Sequence, residues 1–87
     1  MVVNVTVRRQ GSFVSGAQVV SVVEGQECAS GTTGENGFLR LTTPAPGRPA
    51  VCSQLGATVG FRVNGNMVDN RVVFSPNASA SAEIVLP

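Results

Sequence analysis

The chain has 87 residues, of which 43% are hydrophobic and only 13% are charged, and its formal net charge is +1. This length predicts one small module over residues 1–87, and the scattered arginines argue against a nucleic-acid-binding surface. No apolar stretch approaches the roughly 20 residues of a membrane-spanning helix. We therefore expect a soluble chain without membrane insertion, and the targeting signal of a secreted parent protein would lie outside residues 1–87.

The first half of the chain predicts strands separated by turns. Val2 to Arg8 alternates apolar and polar residues, which is typical of a half-buried strand. Ala17 to Glu24 is apolar on both faces, which indicates a central strand. Gly25 to Gly37 is rich in Gly, Ser and Thr and predicts a loop that ends in an Asn36-Gly37 hairpin turn. Phe38 to Thr42 would then be the returning strand.

The second half repeats this pattern after a proline-rich crossing loop at residues 44–49. Thr58 to Asn64 predicts a strand, Asn64-Gly65 a hairpin turn and Val68 to Phe74 the partner strand. A last strand follows the turn at Ser75-Pro76-Asn77. The side chains expected to face inward from the first and last of these strands are Val59, Phe61, Val63, Ala82, Ile84 and Leu86.

These segments predict an all-β fold, because none of them has a helical period. A single sheet would leave its apolar face in water, so two layers are expected. The predicted architecture is a two-layer antiparallel β-sandwich of six or seven strands with Greek-key connections, prealbumin-like or Ig-like.

The composition argues against catalysis. The chain has no histidine, the usual general base near neutral pH and the usual partner of a serine or cysteine nucleophile. Two of the five acidic residues would have to pair for glycosidase chemistry, but turn and edge positions explain them better. We expect no enzyme activity, no cofactor and no metal site.

One loop offers candidate ligands. Thr32, Thr33, Glu35 and Asn36 lie in a glycine-rich segment whose backbone amides, hydroxyls and single carboxylate form a possible binding loop for a small anion or calcium. Calcium prefers several oxygen ligands, and Glu35 is the only carboxylate nearby. The alternative is that turn formation alone accounts for these residues.

Four segments follow one another along the chain: Val5–Val7, Gly11–Val19, Thr33–Leu41 and Gly56–Gly65. Their order of motifs resembles the carboxypeptidase regulatory-like domains, which belong to the transthyretin-like sandwiches of prokaryotic secreted and surface proteins. Two positions depart from that pattern, since Phe13 stands where such domains often have proline and Gly34 where aspartate is common.

The resemblance implies a non-catalytic accessory, spacer or structural module of a larger secreted or cell-surface protein, with neighbouring domains of the parent chain as its partners. The alternative is a protein- or carbohydrate-binding module that uses loop tips or an exposed sheet edge. Sugar-binding sandwiches usually present Trp or Tyr, and this chain has neither. An exposed Phe13 or Phe74 would favour the alternative.

Cys28 and Cys52 are the only cysteines and are predicted to lie in loops that permit the close approach of a disulfide. A small core and the oxidising setting implied by the resemblance favour a bond, which would contribute roughly 3 kcal/mol. The alternative is two separate buried thiols.

Overall fold

The computed structural model describes all residues, Met1–Pro87. It confirms an all-β sandwich of two packed sheets, but with eight strands instead of six or seven. No helix in it is both long enough and apolar enough to cross a membrane. The elements are β1 (Val2–Arg9), β2 (Ser12–Phe13), β3 (Gln18–Val23), β4 (Gln26–Thr32), β5 (Phe38–Thr42), a 3-10 helix (Ala50–Ser53), β6 (Thr58–Val63), β7 (Asn66–Val73) and β8 (Ser79–Leu86).

Sheet 1 contains β1, β2, β5 and β8, and sheet 2 contains β4, β3, β6 and β7 in that order. In sheet 1, β8 pairs with β1 from Val2 to Arg9, whereas β5 and then β2 pair with the other side of β1. The β1–β8 pair is parallel and every other pair is antiparallel. The expectation of a purely antiparallel sandwich is therefore wrong for this pair, because alternation reveals which face is buried but not which way a neighbouring strand runs.

Three two-residue turns join neighbouring strands, and both residues of each turn have positive φ, as a tight hairpin requires. They are Gln10-Gly11, Glu24-Gly25 and Asn64-Gly65, with φ angles between 49° and 86°. The Asn64-Gly65 hairpin is confirmed. Its asparagine also caps the neighbouring strand, because Asn64 Oδ1 accepts a hydrogen bond from the Gln18 amide at 2.9 Å.

The predicted loop from Gly25 to Gly37 is wrong. The chain turns at Glu24-Gly25, and β4 runs back beside β3. Asn36-Gly37 closes no hairpin, because β4 and β5 lie in different sheets and β5 pairs with β1. The small residues of β4 have a loop-like composition, but Cys28 and Ala29 are buried against the core, and this packing outweighs weak strand propensity.

The core lies between the two sheets and consists mainly of valine. The predicted inward faces of β6 and β8 are confirmed, since all six of their named side chains are at most 9% exposed. The predicted central position of β3 is also confirmed, because β4 and β6 flank it. The core cluster comprises Val3, Val5, Val7, Ala17, Val19, Val23, Cys28, Ala29, Leu41, Cys52, Val59, Phe61, Val63, Phe74, Ala82, Ile84 and Leu86.

Strand β7 closes one flank of the sandwich. It carries a bulge opposite Phe61, where three of its residues face one residue of β6. The Arg71 guanidinium donates to the Val68 and Asn70 carbonyl oxygens at 2.6 and 2.8 Å, which satisfies carbonyl groups that the bulge removes from the regular ladder. The Asn70 side chain donates to the Glu83 carbonyl oxygen of β8 at 2.9 Å. A side chain thus links the facing edges of the two sheets.

Candidate functional site

The two cysteines form a disulfide, as predicted, and the alternative of separate thiols is wrong. Cys28 lies on β4 instead of in a loop, and Cys52 lies on the 3-10 helix. Their Cα atoms are 5.5 Å apart and neither residue is exposed to solvent. The Ala45 amide also donates to the Cys28 carbonyl oxygen at 2.8 Å. The bond therefore fixes the long crossing segment between β5 and β6 against the edge of sheet 2.

Thr33 of the possible binding loop is 4% exposed, and its hydroxyl is engaged within the protein. Its Oγ1 accepts from the Ala17 amide at 2.9 Å and donates to the Val14 carbonyl oxygen at 2.7 Å. The Thr33 amide donates to the Ala17 carbonyl oxygen at 2.9 Å. This side chain connects the segment before β3 to the end of β4, so its hydroxyl has a structural role.

The other residues of this loop lie at the same end of the sandwich and are exposed. Thr32 is the last residue of β4, and Glu35 and Asn36 occupy the turn that follows. The Asn36 side chain accepts from the Phe38 amide at 3.3 Å, and the Gly34 amide donates to the Phe38 carbonyl oxygen at 2.9 Å. Turn formation therefore uses most of the polar groups that a ligand would need, leaving the Glu35 carboxylate as the free charged group.

The outward face of sheet 1 carries two exposed aromatic side chains. Phe38 is opposite Thr6 of β1, and Phe13 is opposite Arg8. Because Thr6 and Arg8 are two positions apart on β1, both side chains start from the same face, at backbone positions about 7 Å apart along the strand direction. Phe13 is 57% and Phe38 is 42% exposed, whereas Phe74 is buried at 3%.

Val85 of β8 lies on the same outward face as Phe13 and Phe38. Val85 is 63% exposed and lies opposite Arg8. The Arg8 guanidinium forms an ion pair with the Glu83 carboxylate beside these side chains. Alternation along β5 is the sequence signal that could have predicted the exposure of Phe38. Successive side chains of a strand point to opposite faces, so Phe38 faces outward if Leu39 and Leu41 face inward.

Two shallow clefts open on the surface, at opposite ends of the molecule. The larger, of about 370 Å³, lies between the Glu24-Gly25 turn and residues 54–58, and Glu24 is its only charged residue. The smaller, of about 230 Å³, lies between the β6–β7 hairpin and the end of β8. No group of three or more His, Cys, Asp or Glu side chains is arranged to hold a metal ion.

The sequence matches no protein-family model and no curated protein. The resemblance to carboxypeptidase regulatory-like domains therefore stays a prediction.

Proposed function

We propose that this chain is a non-catalytic spacer module of a larger secreted or cell-surface protein. The observation that carries the proposal is the parallel pairing of β1 with β8. Because the two strands run in the same direction, the chain enters β1 at one end of the sandwich and leaves β8 at the other. Domains attached before and after the module would be held apart by its length.

The molecular dimensions support this role. The principal extents are 35, 22 and 20 Å. An eight-residue strand is about 25 Å long, more than either short extent, so the long axis follows the strands. Each module would therefore add roughly its longest dimension to the separation between its neighbours.

The disulfide supports the proposed location outside the cytoplasm. Disulfides persist mainly in oxidising compartments, and small extracytoplasmic domains depend on them because their cores are small. The Cys28–Cys52 bond is fully buried, as is typical of a bond with a structural role.

Small-angle X-ray scattering of a tandem fusion of three copies tests the spacer role. We expect the maximum dimension to grow by about 35 Å per copy, the length of the long axis. A single copy measured under the same conditions is the control. Growth of 20 Å or less per copy, the short dimension, would mean that the copies pack side by side, which would refute the proposal.

A second candidate is a protein- or carbohydrate-binding module, and the exposure of Phe13 and Phe38 is the observation that favours it. Flat aromatic side chains stack on sugar rings and on apolar protein surfaces. A glycan array tests it, with Phe13→Ala as the variant and Phe38→Ala as its companion. Specific hits that both substitutions remove would favour binding, and an array without hits would count against a carbohydrate ligand.

A further inference from the structure

The parallel pairing of β1 and β8 determines how a pulling force acts on the module. A force applied through the two ends pulls β1 and β8 in opposite directions along their own length. The ladder between them contains eight residue pairs, from Val2–Ser79 to Arg9–Leu86. Under this load the hydrogen bonds are sheared together, because the force runs along both strands and is shared by the whole ladder.

The direction of the backbone groups of β8 follows from two hydrogen bonds. The Val2 amide donates to the Ala78 carbonyl oxygen at 3.0 Å, so the alternation of a parallel ladder turns the backbone groups of Ala80 and Ala82 toward β1. Those of Ser81 and Glu83 point away from β1. The Asn70 side chain bonds to the Glu83 carbonyl oxygen from the opposite side, in agreement with this assignment.

Side chains on both faces of the sheet reinforce the β1–β8 pair. On the inner face Val3, Val5, Val7 and Ile84 have no exposure to solvent, so sliding β8 past β1 disrupts the packed core. On the outer face the Arg8–Glu83 ion pair joins the same two strands. Both side chains are partly exposed, so its equilibrium contribution is small.

We propose that the β1–β8 pair is a mechanical clamp, which resists force applied along the long axis until its bonds break together. This inference rests on the proposed spacer role, because only a module in line between two attachments would bear such a force. The hairpins β3–β4 and β6–β7 carry no direct load until the clamp has opened, since neither of them contains a terminal strand.

Single-molecule pulling in two directions tests the clamp without changing any strand residue, because the one substitution it needs lies in the turn between β1 and β2. In the first geometry the handles are attached at Met1 and Pro87, which shears β1 against β8. In the second they are attached at Pro87 and at a Gln10→Cys thiol, which lie at the same end of the pair and peel it open. The native disulfide is fully buried, so the new thiol is the accessible one for coupling.

We expect the rupture force at equal pulling speed to be at least about twofold higher in shear than in peeling, because the ladder bonds share the load in shear. Equal forces in the two geometries would overturn the clamp. The released length identifies the event, since the disulfide joins residues 24 positions apart and reduction should lengthen the unfolded chain by about 80 Å.

A pair of proline variants gives a second measurement. Ala80→Pro removes a donor that faces β1, whereas Ser81→Pro removes one that faces away, and proline constrains φ equally in both. We expect the shear force to fall further for Ala80→Pro, after circular dichroism has shown that both variants fold. An equal fall would overturn the clamp. A weak clamp in a fusion that still extends by 35 Å per copy would leave the spacer role intact.

Discussion

Breaking the Cys28–Cys52 bond should destabilise the module strongly. The bond joins residues separated by 24 positions, and the chain-entropy relation gives about 3.5 kcal/mol for a loop of that size. A small domain has a free energy of unfolding of roughly 5 to 10 kcal/mol, so the bond provides a large fraction of it. We expect the melting temperature to fall by roughly 15 to 25 °C, because each kcal/mol corresponds to about 4 to 8 °C at this size.

Urea denaturation followed by circular dichroism measures the effect, since the chain has no Trp or Tyr for intrinsic fluorescence. The oxidised protein is compared with the reduced protein and with a Cys28→Ala/Cys52→Ala double variant, whose stability should not respond to reductant. The reduced chain should also show a larger m-value, because its unfolded state exposes more surface without the cross-link.

The outcome decides between two accounts of the crossing segment. If oxidised and reduced proteins differ by less than about 1 kcal/mol, the entropic argument is wrong for this chain. The crossing segment would then be held by packing and by the hydrogen bond between the Ala45 amide and Cys28. The double variant separates cross-linking from sulfur packing, because it lacks the buried sulfur atoms as well as the bond.

Two further substitutions test local structure, each against a matched control and by the same denaturation assay. Thr33→Val should cost about 2 to 3 kcal/mol, because it leaves the buried Ala17 amide and the partly buried Val14 carbonyl without their partner. Thr32→Val at the exposed neighbour should change stability by less than about 0.5 kcal/mol, and equal effects would contradict the structural role of the buried hydroxyl. Gly37→Ala should cost more than about 2 kcal/mol, because Gly37 has φ +71° and an added Cβ would lie 2.7 Å from the Val7 carbonyl oxygen. Gly11→Ala has a similar φ but open space and should cost only about 1 kcal/mol; if the two glycine variants were equally stable, the close approach at Gly37 would be refuted.

The sequence predicts the strands that have one apolar face, because a period of two residues is visible without knowledge of neighbours. The predicted bounds of β5 agree with the structure, and β1 differs by one residue. The inward side chains of β6 and β8 could be named for the same reason. The Asn64-Gly65 hairpin was predictable because asparagine and glycine both tolerate positive φ.

Strand β4 could not be predicted in this way, because small residues at its buried positions give no apolar period. Its turn at Glu24-Gly25 is also a weak signal, since glutamate rarely adopts the φ of +49° that it has here. The parallel direction of β8 was hidden for a different reason. Pairing between the first and last strands is a long-range property, and alternation along either strand is compatible with both directions.

Among the candidate site residues, the cysteine pair was accessible to sequence reasoning, because a small chain with two cysteines allows only one pairing. The hydrogen bonds of Thr33 could not be predicted, because they form only when the segment before β3 packs against the end of β4. Phe13 could be singled out as a residue whose exposure matters, but its proximity to Phe38 depends on both being opposite β1.

The outer edges of β4, β5 and β7 are each interrupted, which limits strand addition at these three edges. On the β4 edge the Ala45 amide donates to the Cys28 carbonyl oxygen, and β7 carries a bulge. On β5, the bond from the Thr43 amide to Met1 implies that Leu39 and Leu41 turn their backbone groups toward β1. The outward groups of Phe38 are used by the adjoining turn.

Only Arg40 and Thr42 therefore offer free backbone groups on the β5 edge. A strand added there would gain few hydrogen bonds, and short, charged or bulged edges are how natural sheets avoid lateral pairing. Side-by-side extension of sheet 1 at the β5 edge is thus unfavourable. In the proposed spacer role, contacts between successive modules would therefore be made where the chain enters β1 and leaves β8, which would keep the β1–β8 pair in line with the load.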